Sequence, residues 1–382
     1  MTSRPAYQAL VLGAGPQMQC GVGQFTARLA EAIGTHDPGS TATLTLTRKQ
    51  GSLAEIWRAI SSAQNIVCNF PIVAWKRVIF APLIALLIAR LRGRRVILIQ
   101  HEWRSLHPLR RVTYLPALLL ADRIIMFSPL VRHELAADPL VGWIAMKCVL
   151  APLPPNLKAP SGIADSELRQ RLAAARNEGR LVIGHFGSIY PGKQPNALLD
   201  ICAALKQRGL KPLVAYIGSF IRGMDKVEDD FRARAAALGV TDDVVVSGYV
   251  ASGRELFGLF GEVDVFCYPL DGGLTARRAS ILAGVQSGRP LIVTAPAEAD
   301  EFEHHPRFKA LIERGAIVPV PRGADDNAFA DAIVAATKHP TPPAAFGFDD
   351  WWRDAAKSIA DQLTRRSGTV RDSAGRTLRS GT

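Results

Sequence analysis

Short apolar runs, each followed by a stretch of helical composition, recur through all 382 residues, and this alternation leaves few folds open. Strands of a parallel sheet are covered on both faces and read as nearly continuous apolar segments, whereas strands with one wet face alternate with polar residues. YQALVLG (7–13), NIVCNF (65–70), RVILIQ (95–100), RIIMFS (123–128) and KCVLAP (147–152) are of the first kind. RLVIGHFG (180–187), LVAYIGS (213–219), DVVVSGYV (243–250), VDVFCYP (263–269), PLIVT (290–294) and AIVPV (316–320) repeat the pattern in the C-terminal half. Helical segments such as QFTARLAEAIG, PNALLDICAALKQRG and DNAFADAIVAAT separate them, so each half reads as an α/β domain built on a doubly wound parallel sheet. A proline-rich link, APLPPNLKAPSG (151–162), and the polar helix SELRQRLAAARNEG lie between the halves, which places the domain boundary at 178/179. The second domain runs to 345, and a helix at 346–364 is expected to pack back on the first domain. The tail from 365 to 382 has no apolar period and is expected to be disordered.

The net charge of +12 is unevenly placed: residues 1–178 carry 21 Lys and Arg against 10 Asp and Glu, while residues 179–382 carry 25 against 24. Such an imbalance points to an anionic partner for the first half: a membrane surface, a nucleic acid or a phosphorylated substrate. Nucleic acid fits poorly, because the basic clusters lack interleaved aromatics and no binding motif is present. The five cysteines form no C-x-x-C pair and several lie inside apolar runs, so neither a disulfide framework nor a zinc site is expected. With no basic-then-apolar leader and no run near the ~20 apolar residues of a spanning helix, the expectation is a reduced, cytoplasmic protein.

Chemistry concentrates at strand-to-helix turns. In YPLDGGLTARRASILAGVQSGRPLIVT (268–294), Gly272 and Gly273 let the backbone approach a ligand, and the guanidinium forks of Arg277 and Arg278 beside a helix start favour an anion such as a diphosphate. An ordinary turn with its arginines in water is the alternative. GHFGSIYPGK sets Gly187, Ser188 and Lys193 at another such turn, where a lysine opposes the helix dipole and so suggests a bound anion. Near the N-terminus, Gly21 and Gly23 precede a helix and serve either a substrate or tight packing. His101, Glu102 and Trp103 fall just past the carboxyl end of RVILIQ, the rim where ligands of such sheets bind, and His101 is suited to proton transfer or to sugar hydroxyls. Gly13, Ala14, Gly15 and Pro16 imitate a dinucleotide fingerprint, but Met18 takes the third glycine position and TATLTLT ends in Arg48 and Lys49 in place of an acidic ribose ligand. NAD is thereby disfavoured and an NADP-dependent oxidoreductase is a distant alternative.

The segment WKRVIFAPLIALLIARLRGRR (75–95) couples an apolar helix, with Pro82 fitting its start, to basic clusters that include Arg90, Arg92, Arg94 and Arg95. Arg104, Arg110 and Arg111 follow. This segment could rest peripherally on an anionic membrane; a helix buried between two strands would be equally apolar.

In this order the pieces resemble the large retaining glycosyltransferase family of GT-B fold (family 4-like) that builds bacterial polysaccharides and glycolipids. The marks are CGVGQF (20–25), HEW (101–103), ADRIIMFS (121–128), GSIYPGK (187–193), IGS (217–219), SGYV (247–250) and the long loop from Tyr268, and the resemblance covers residues 7–363. It implies two Rossmann-like domains facing a cleft, the first on the acceptor side and the second holding a nucleoside diphosphate sugar. Carried over by position, Lys193 would contact the diphosphate, the backbone at Tyr249 and Val250 the base, and the loop through Gly272, Gly273 and Thr275 the sugar and phosphates, with Arg277 and Arg278 as the alternative source of the positive charge usual before Lys193. Gly21, Gly23 and His101 would close over the transferred sugar, Ser188 would lie in the donor site, and Glu102 and Trp103 would face the acceptor. Two departures mark a divergent member: the arginine usual before the lysine is absent, and the usual glutamate pair falls on Thr275 and Ala283, with Asp271 as a candidate replacement. The implied activity is metal-independent, retaining hexosyl transfer to a polysaccharide or lipid-linked saccharide in exopolysaccharide assembly. No D-x-D triplet occurs in the chain. The alternative of a different class is a catalytically inactive GT-B protein that binds nucleotide or a partner enzyme.

Overall fold

The computed structural model describes residues 5–14, 21–36, 39–47, 51–72, 75, 79–221, 226–338 and 346–364, together with 370–371 and 377–378. Gly15, Pro16, Met18, Cys20, Arg48, Lys49 and most of the tail lie outside them; residues 370–371 and 377–378 pair as a short antiparallel ladder. The chain divides into two compact units, 1–154 with 349–382 and 155–348. The boundary expected at 178/179 therefore moves to 154/155.

The first unit runs β1 (Tyr7–Gly13), α1 (Gly21–His36), β2 (Thr41–Thr45), α2 (Leu53–Ser61), β3 (Ala63–Phe70), α3 (Phe80–Leu91), β4 (Arg95–Gln100), α4 (Pro108–Leu120), β5 (Arg123–Met126), α5 (Pro129–Ala136) and β6 (Cys148–Leu150). Its sheet is parallel in the order β2-β1-β3-β4-β5-β6. Because side chains alternate across a strand, Leu10, Leu12, Ile66, Cys68, Val96, Leu98, Ile124 and Met126 share one face, where they pack with Ile56 and Ile60 of α2, Ala85, Leu86 and Ala89 of α3, and Tyr114, Ala117 and Leu118 of α4. On α1, Phe25 meets Phe127 and Trp352 at ring distances of 5.3 and 5.5 Å. Local signals set the helix starts: Ser52 and Glu55 form a reciprocal cap on α2, and Pro108 stands in the first turn of α4.

The second unit runs α6 (Glu167–Asn177), β7 (Leu181–Phe186), α7 (Pro195–Gln207), β8 (Pro212–Ile217), α8 (Val227–Ala237), β9 (Val244–Val246), α9 (Gly253–Gly261), β10 (Val265–Tyr268), α10 (Ala279–Val285), β11 (Leu291–Thr294), α11 (Pro306–Glu313), β12 (Ile317–Val320) and α12 (Asp326–Lys338). Read from β9, its parallel sheet has the order β9-β8-β7-β10-β11-β12. This is the Rossmann arrangement, 3-2-1-4-5-6. The link and α6 belong here because Arg169 bonds Glu262 at 3.0 Å and Arg176 bonds Asp264 at 2.9 Å, while Asp264 also accepts from the Val182 backbone at 2.9 Å.

The last helix, α13 (Phe348–Thr364), belongs from Asp349 onward to the first unit. Its residues Trp351, Trp352, Ala355, Ala356 and Ile359 are buried, and the Leu363 carbonyl accepts from Arg95 at 2.9 Å. The four described cysteines are free and buried.

Candidate functional site

Within the second unit, the sheet order reverses between β7 and β10, and the loops leaving these two strands lie side by side at their carboxyl ends. Such a reversal opens the crevice in which α/β sheets bind ligands. Gly187 leaves β7 at φ +119°, and a Cβ there would stand 2.4 Å from Lys193 Nζ, so only glycine lets the ammonium rest against the backbone. Next to it, a Cβ on Gly218 would stand 2.1 Å from the Gly187 carbonyl oxygen. Ser247 Oγ holds this approach by accepting from Gly218 N at 2.9 Å and donating to the Gly248 carbonyl at 2.7 Å. Pro191–Lys193 then make one 3-10 turn, Gln194 takes the left-handed conformation at φ +48°, and α7 begins. Lys193 is left 8% exposed, with a long 3.5 Å contact from Nζ to the Phe186 carbonyl.

The facing loop is built from backbone contacts. Gly273 adopts φ +72°, and a Cβ on it would come within 2.3 Å of the Ala295 carbonyl, whereas one on Gly272 would meet open space. Leu274 N donates to the Thr294 carbonyl at 2.9 Å, and Ala276 N donates to Glu301 Oε1 at 2.8 Å. Glu301 itself is only 1% exposed. Arg278 closes the loop and hydrogen-bonds Tyr190 of the opposite one.

Electrostatics follow from this crowding. Burial, and secondarily the charge of Arg278, bring the Lys193 ammonium down to a pKa of about 8. Arg278 is likewise lowered, by burial and then by Arg277, with Tyr190 and Glu301 opposing. His185 beneath them is brought to about 3 by burial and by Lys193. It is a neutral core residue whose Nδ1 lies 3.0 Å from the Cys267 carbonyl and whose ring lies 4.6 Å from that of Tyr268. At neutral pH, Lys193 and Arg278 thus hold positive charge in a desolvated crevice, a standing demand for an anion.

The structure brings together Lys193, Arg278, Gly187 and the loop through Gly273 and Thr275. Thr275 is buried, and its Oγ1 has no partner among the described residues. Arg277 is half-buried, while Ser188, Asp271, Gly272 and Tyr249 are exposed and Val250 is half-buried beyond β9. Asp271 is no like-for-like substitute for the expected glutamates, because it is solvent-facing where a carboxylate working at this crevice would be enclosed. Ala283, at the second glutamate position, is 1% exposed inside α10 and belongs to the core. Sequence reasoning missed Tyr190, Ser247 and Glu301. The signal for Glu301 was the acidic stretch EADEFE after PLIVT, the strand beside the arginine loop.

In the first unit, Gly21 and Gly23 stand in the first turn of α1, three residues earlier than the expected helix start at Gln24, and so are helical positions. His101 Nε2 lies 3.2 Å from Asn69 Oδ1, and its ring is wedged between Phe25 and Phe127 at 5.4 and 5.2 Å. Glu102 is half-buried and accepts from Ser105 Oγ at 3.2 Å. Trp103, expected toward the acceptor, is 2% exposed and donates to Asp138 at 3.2 Å, so it is a wall beneath the rim rather than a contact surface. Among the described residues no group of three His, Cys, Asp or Glu could hold a metal ion.

Residues 180–339, the part that builds this crevice, match the family described as glycosyl transferases group 1. The second unit is a group 1 glycosyl transferase domain. The whole chain is similar in fold to Anabaena HepE solved in complex with UDP, at 16% identity and a TM-score of 0.59, covering 93% of this chain and 99% of that one. HepE in complex with UDP-glucose superposes with a TM-score of 0.58 at 17% identity, covering 93% and 97% of the two chains. Sucrose-phosphate synthase from Thermosynechococcus elongatus reaches 0.53 at 15% identity, with 93% and 94% covered. No curated protein matches the sequence.

Proposed function

We propose that this glycosyltransferase moves a hexosyl group from a nucleoside diphosphate sugar to a polysaccharide or lipid-linked saccharide, retaining configuration and using no metal ion. The observation that carries the reading is Lys193 buried against Gly187 beside Arg278 at the sheet reversal. A leaving diphosphate gathers charge as the glycosidic bond breaks, and preorganised cations in a dry crevice stabilise that charge without reorganisation. Lys193 and Arg278 fill the role that a divalent cation fills elsewhere, with Thr275 Oγ1 as a spare donor to phosphate or sugar. Tyr249 and Val250, at the exit of β9, flank the base. A UDP-sugar donor is supported by the UDP and UDP-glucose complexes of HepE. His101, wedged at the rim of the first unit, is the residue proposed to contact the transferred sugar.

Lys193→Ala tests the reading. Turnover with the preferred nucleotide-sugar should fall by ~10²-fold or more, the scale of losing one preorganised charge donor, and unchanged turnover would sink the assignment. A nucleotide-sugar that stabilises the protein but is neither hydrolysed nor transferred with any acceptor extract would instead favour a nucleotide-binding protein, the reading suggested by Ala283 and Thr275. We also propose work at a cytoplasmic, anionic membrane face, supported by the charge of the first unit: 24 Lys and Arg against 12 Asp and Glu, while the second unit has 22 of each.

A further inference from the structure

Among the described helices none is long and apolar enough to cross a membrane, yet the first unit exposes an unusual amount of large apolar side chain on one layer. Helix α3 is apolar at every position but Arg90. Pro82, Ala85, Leu86 and Ala89 face the sheet, while Phe80, Ile84, Leu87 and Leu91 are 74%, 38%, 48% and 74% exposed. Their spacing of four, three and four residues makes a single outward stripe. A helix of that kind is ordinarily enclosed by protein or by lipid, and here no described residue of the first unit covers the stripe. Helix α4, which packs on α3, repeats the pattern: Leu109, Val112 and Leu119 are 71%, 66% and 47% exposed. The following 3-10 turn, Gly142–Lys147, is tied to the end of α4 by Lys147 Nζ, which donates to the Leu119 and Ala121 carbonyls at 3.1 and 2.8 Å. Leu140, Trp143 and Met146, three residues apart and 82%, 57% and 75% exposed, continue the surface.

Charge decides between the two occupants that could cover such a face. Neither α3 nor α4 contains an acidic residue, while Arg92 caps the end of α3 and Arg110 lies in the first turn of α4. A second copy of this unit, itself at +12, would bring like charges together around the apolar centre, whereas anionic lipid would neutralise them. The basic cluster expected to carry docking is itself mostly committed: Arg90 pairs with Asp122 at 2.6 Å, Arg94 donates to the Ser61 carbonyl at 2.8 Å, and Arg95 donates to the Leu363 carbonyl at 2.9 Å. Arg92 is exposed, with its guanidinium 4.8 Å above the Trp57 ring.

We infer that the outward stripes of α3, α4 and the Gly142–Lys147 turn are a lipid-inserting face, which seats the first unit in the headgroup region of an anionic bilayer by apolar burial, with the arginines steering. This rests on the membrane reading above and changes its mechanism from charge pairing to insertion. Helices α3 and α4 both start at the carboxyl rim of the sheet, so Phe80 and Leu109 lie at the rim end of the stripes, on the side of His101. A lipid-linked saccharide could be presented there without leaving the bilayer surface.

Vesicles of phosphatidylglycerol and phosphatidylethanolamine, with neutral phosphatidylcholine vesicles as control, test this with the full chain. The protein should float with the anionic vesicles, keep a measurable part of its binding at 1 M salt, and show Trp143 fluorescence quenched by bromine-labelled acyl chains, a signal lost in Trp143→Phe. Leu87→Gln with Leu91→Gln, and separately Leu109→Gln with Val112→Gln, should each weaken partition by roughly tenfold or more, with circular dichroism and melting unchanged. Arg94→Gln with Arg95→Gln should change partition little. Binding of the glutamine variants equal to wild type, or complete release of wild type by salt with no quenching, would overturn the inference. Concentration-dependent dimerisation abolished by the same glutamines would assign the face to a second copy and would overturn it equally. Hydrolysis of UDP-glucose in free solution should be untouched by these changes; its absence in wild type would count against the transferase reading and not against this face.

Discussion

Replacing Lys193 by methionine should stabilise the unliganded protein while disabling it. The ammonium is brought from 10.5 in the open chain to about 8 by burial and by Arg278, and at ~1.36 kcal/mol per pH unit the folded state pays roughly 3 kcal/mol to keep the charge at pH 7. The sign follows from proton binding. Between pH 8 and 10.5 the unfolded chain holds a proton that the folded chain has released, so wild-type stability rises with pH across that window. A methionine at this position would carry no such penalty, and the 3.5 Å contact to the Phe186 carbonyl is too long to count for much in the balance. At about 2–4 °C per kcal/mol for a unit of this size, Lys193→Met should melt about 6–12 °C higher at pH 7. The gap between the two proteins should stay constant below pH 8 and close by about pH 10.5. Differential scanning calorimetry of both proteins from pH 6.5 to 10.5 measures it, and the second unit's transition must be followed because a two-unit chain need not melt as one. Nucleotide-sugar should raise the melting point of wild type and leave the variant unmoved. A variant no more stable than wild type at pH 7, or a gap that ignores pH, would refute the claim that a desolvated cation waits in the crevice.

Two further outcomes concern how the arginine loop is held. Glu301→Ala strands the Ala276 amide and removes a charge near Arg278, and is expected to cost about 1–3 kcal/mol in urea unfolding; Glu301→Gln, which keeps an acceptor for that amide, should recover most of the loss, and equal losses would discount the hydrogen bond. Gly273→Ala must fit a side chain at φ +72° against the Ala295 carbonyl and should cost at least ~2 kcal/mol, while Gly272→Ala, in open space one residue earlier, should stay within ~0.5 kcal/mol; similar melting of the two variants would refute the loop geometry.

Residue pattern announced the sheets, because a parallel strand enclosed on both sides must be apolar along its length, and RVILIQ and VDVFCYP could hardly be anything else. The crevice at Lys193 lies at the exits of such strands, where Gly187 and Gly218 bring β7 and β8 together; the order of the strands was not written in their apolarity. Less was legible where packing, not pattern, decides. SELRQRLAAARNEG looked like the end of the first domain, and only the salt bridges to Glu262 and Asp264 assign it to the second. The four arginines at the end of α3 and just beyond it looked like a docking cluster, although three of them serve Asp122, Ser61 and Leu363. Trp103 stood at the right rim but turned inward to Asp138. Glu301 lay outside every motif: the acidic stretch around it was visible, but its contact is to a backbone amide 25 residues away in sequence, and that pairing is not written in local composition.

The return of α13 to the first unit bears on how the chain is made. During synthesis an N-terminal domain ordinarily folds while the remainder is still being translated. Here Phe25 waits for Trp352, which leaves the ribosome only after the whole second unit has done so. The later-made unit is therefore the first that can be completed. For that interval the earlier one carries an uncovered aromatic face, a natural place for a holding chaperone to bind.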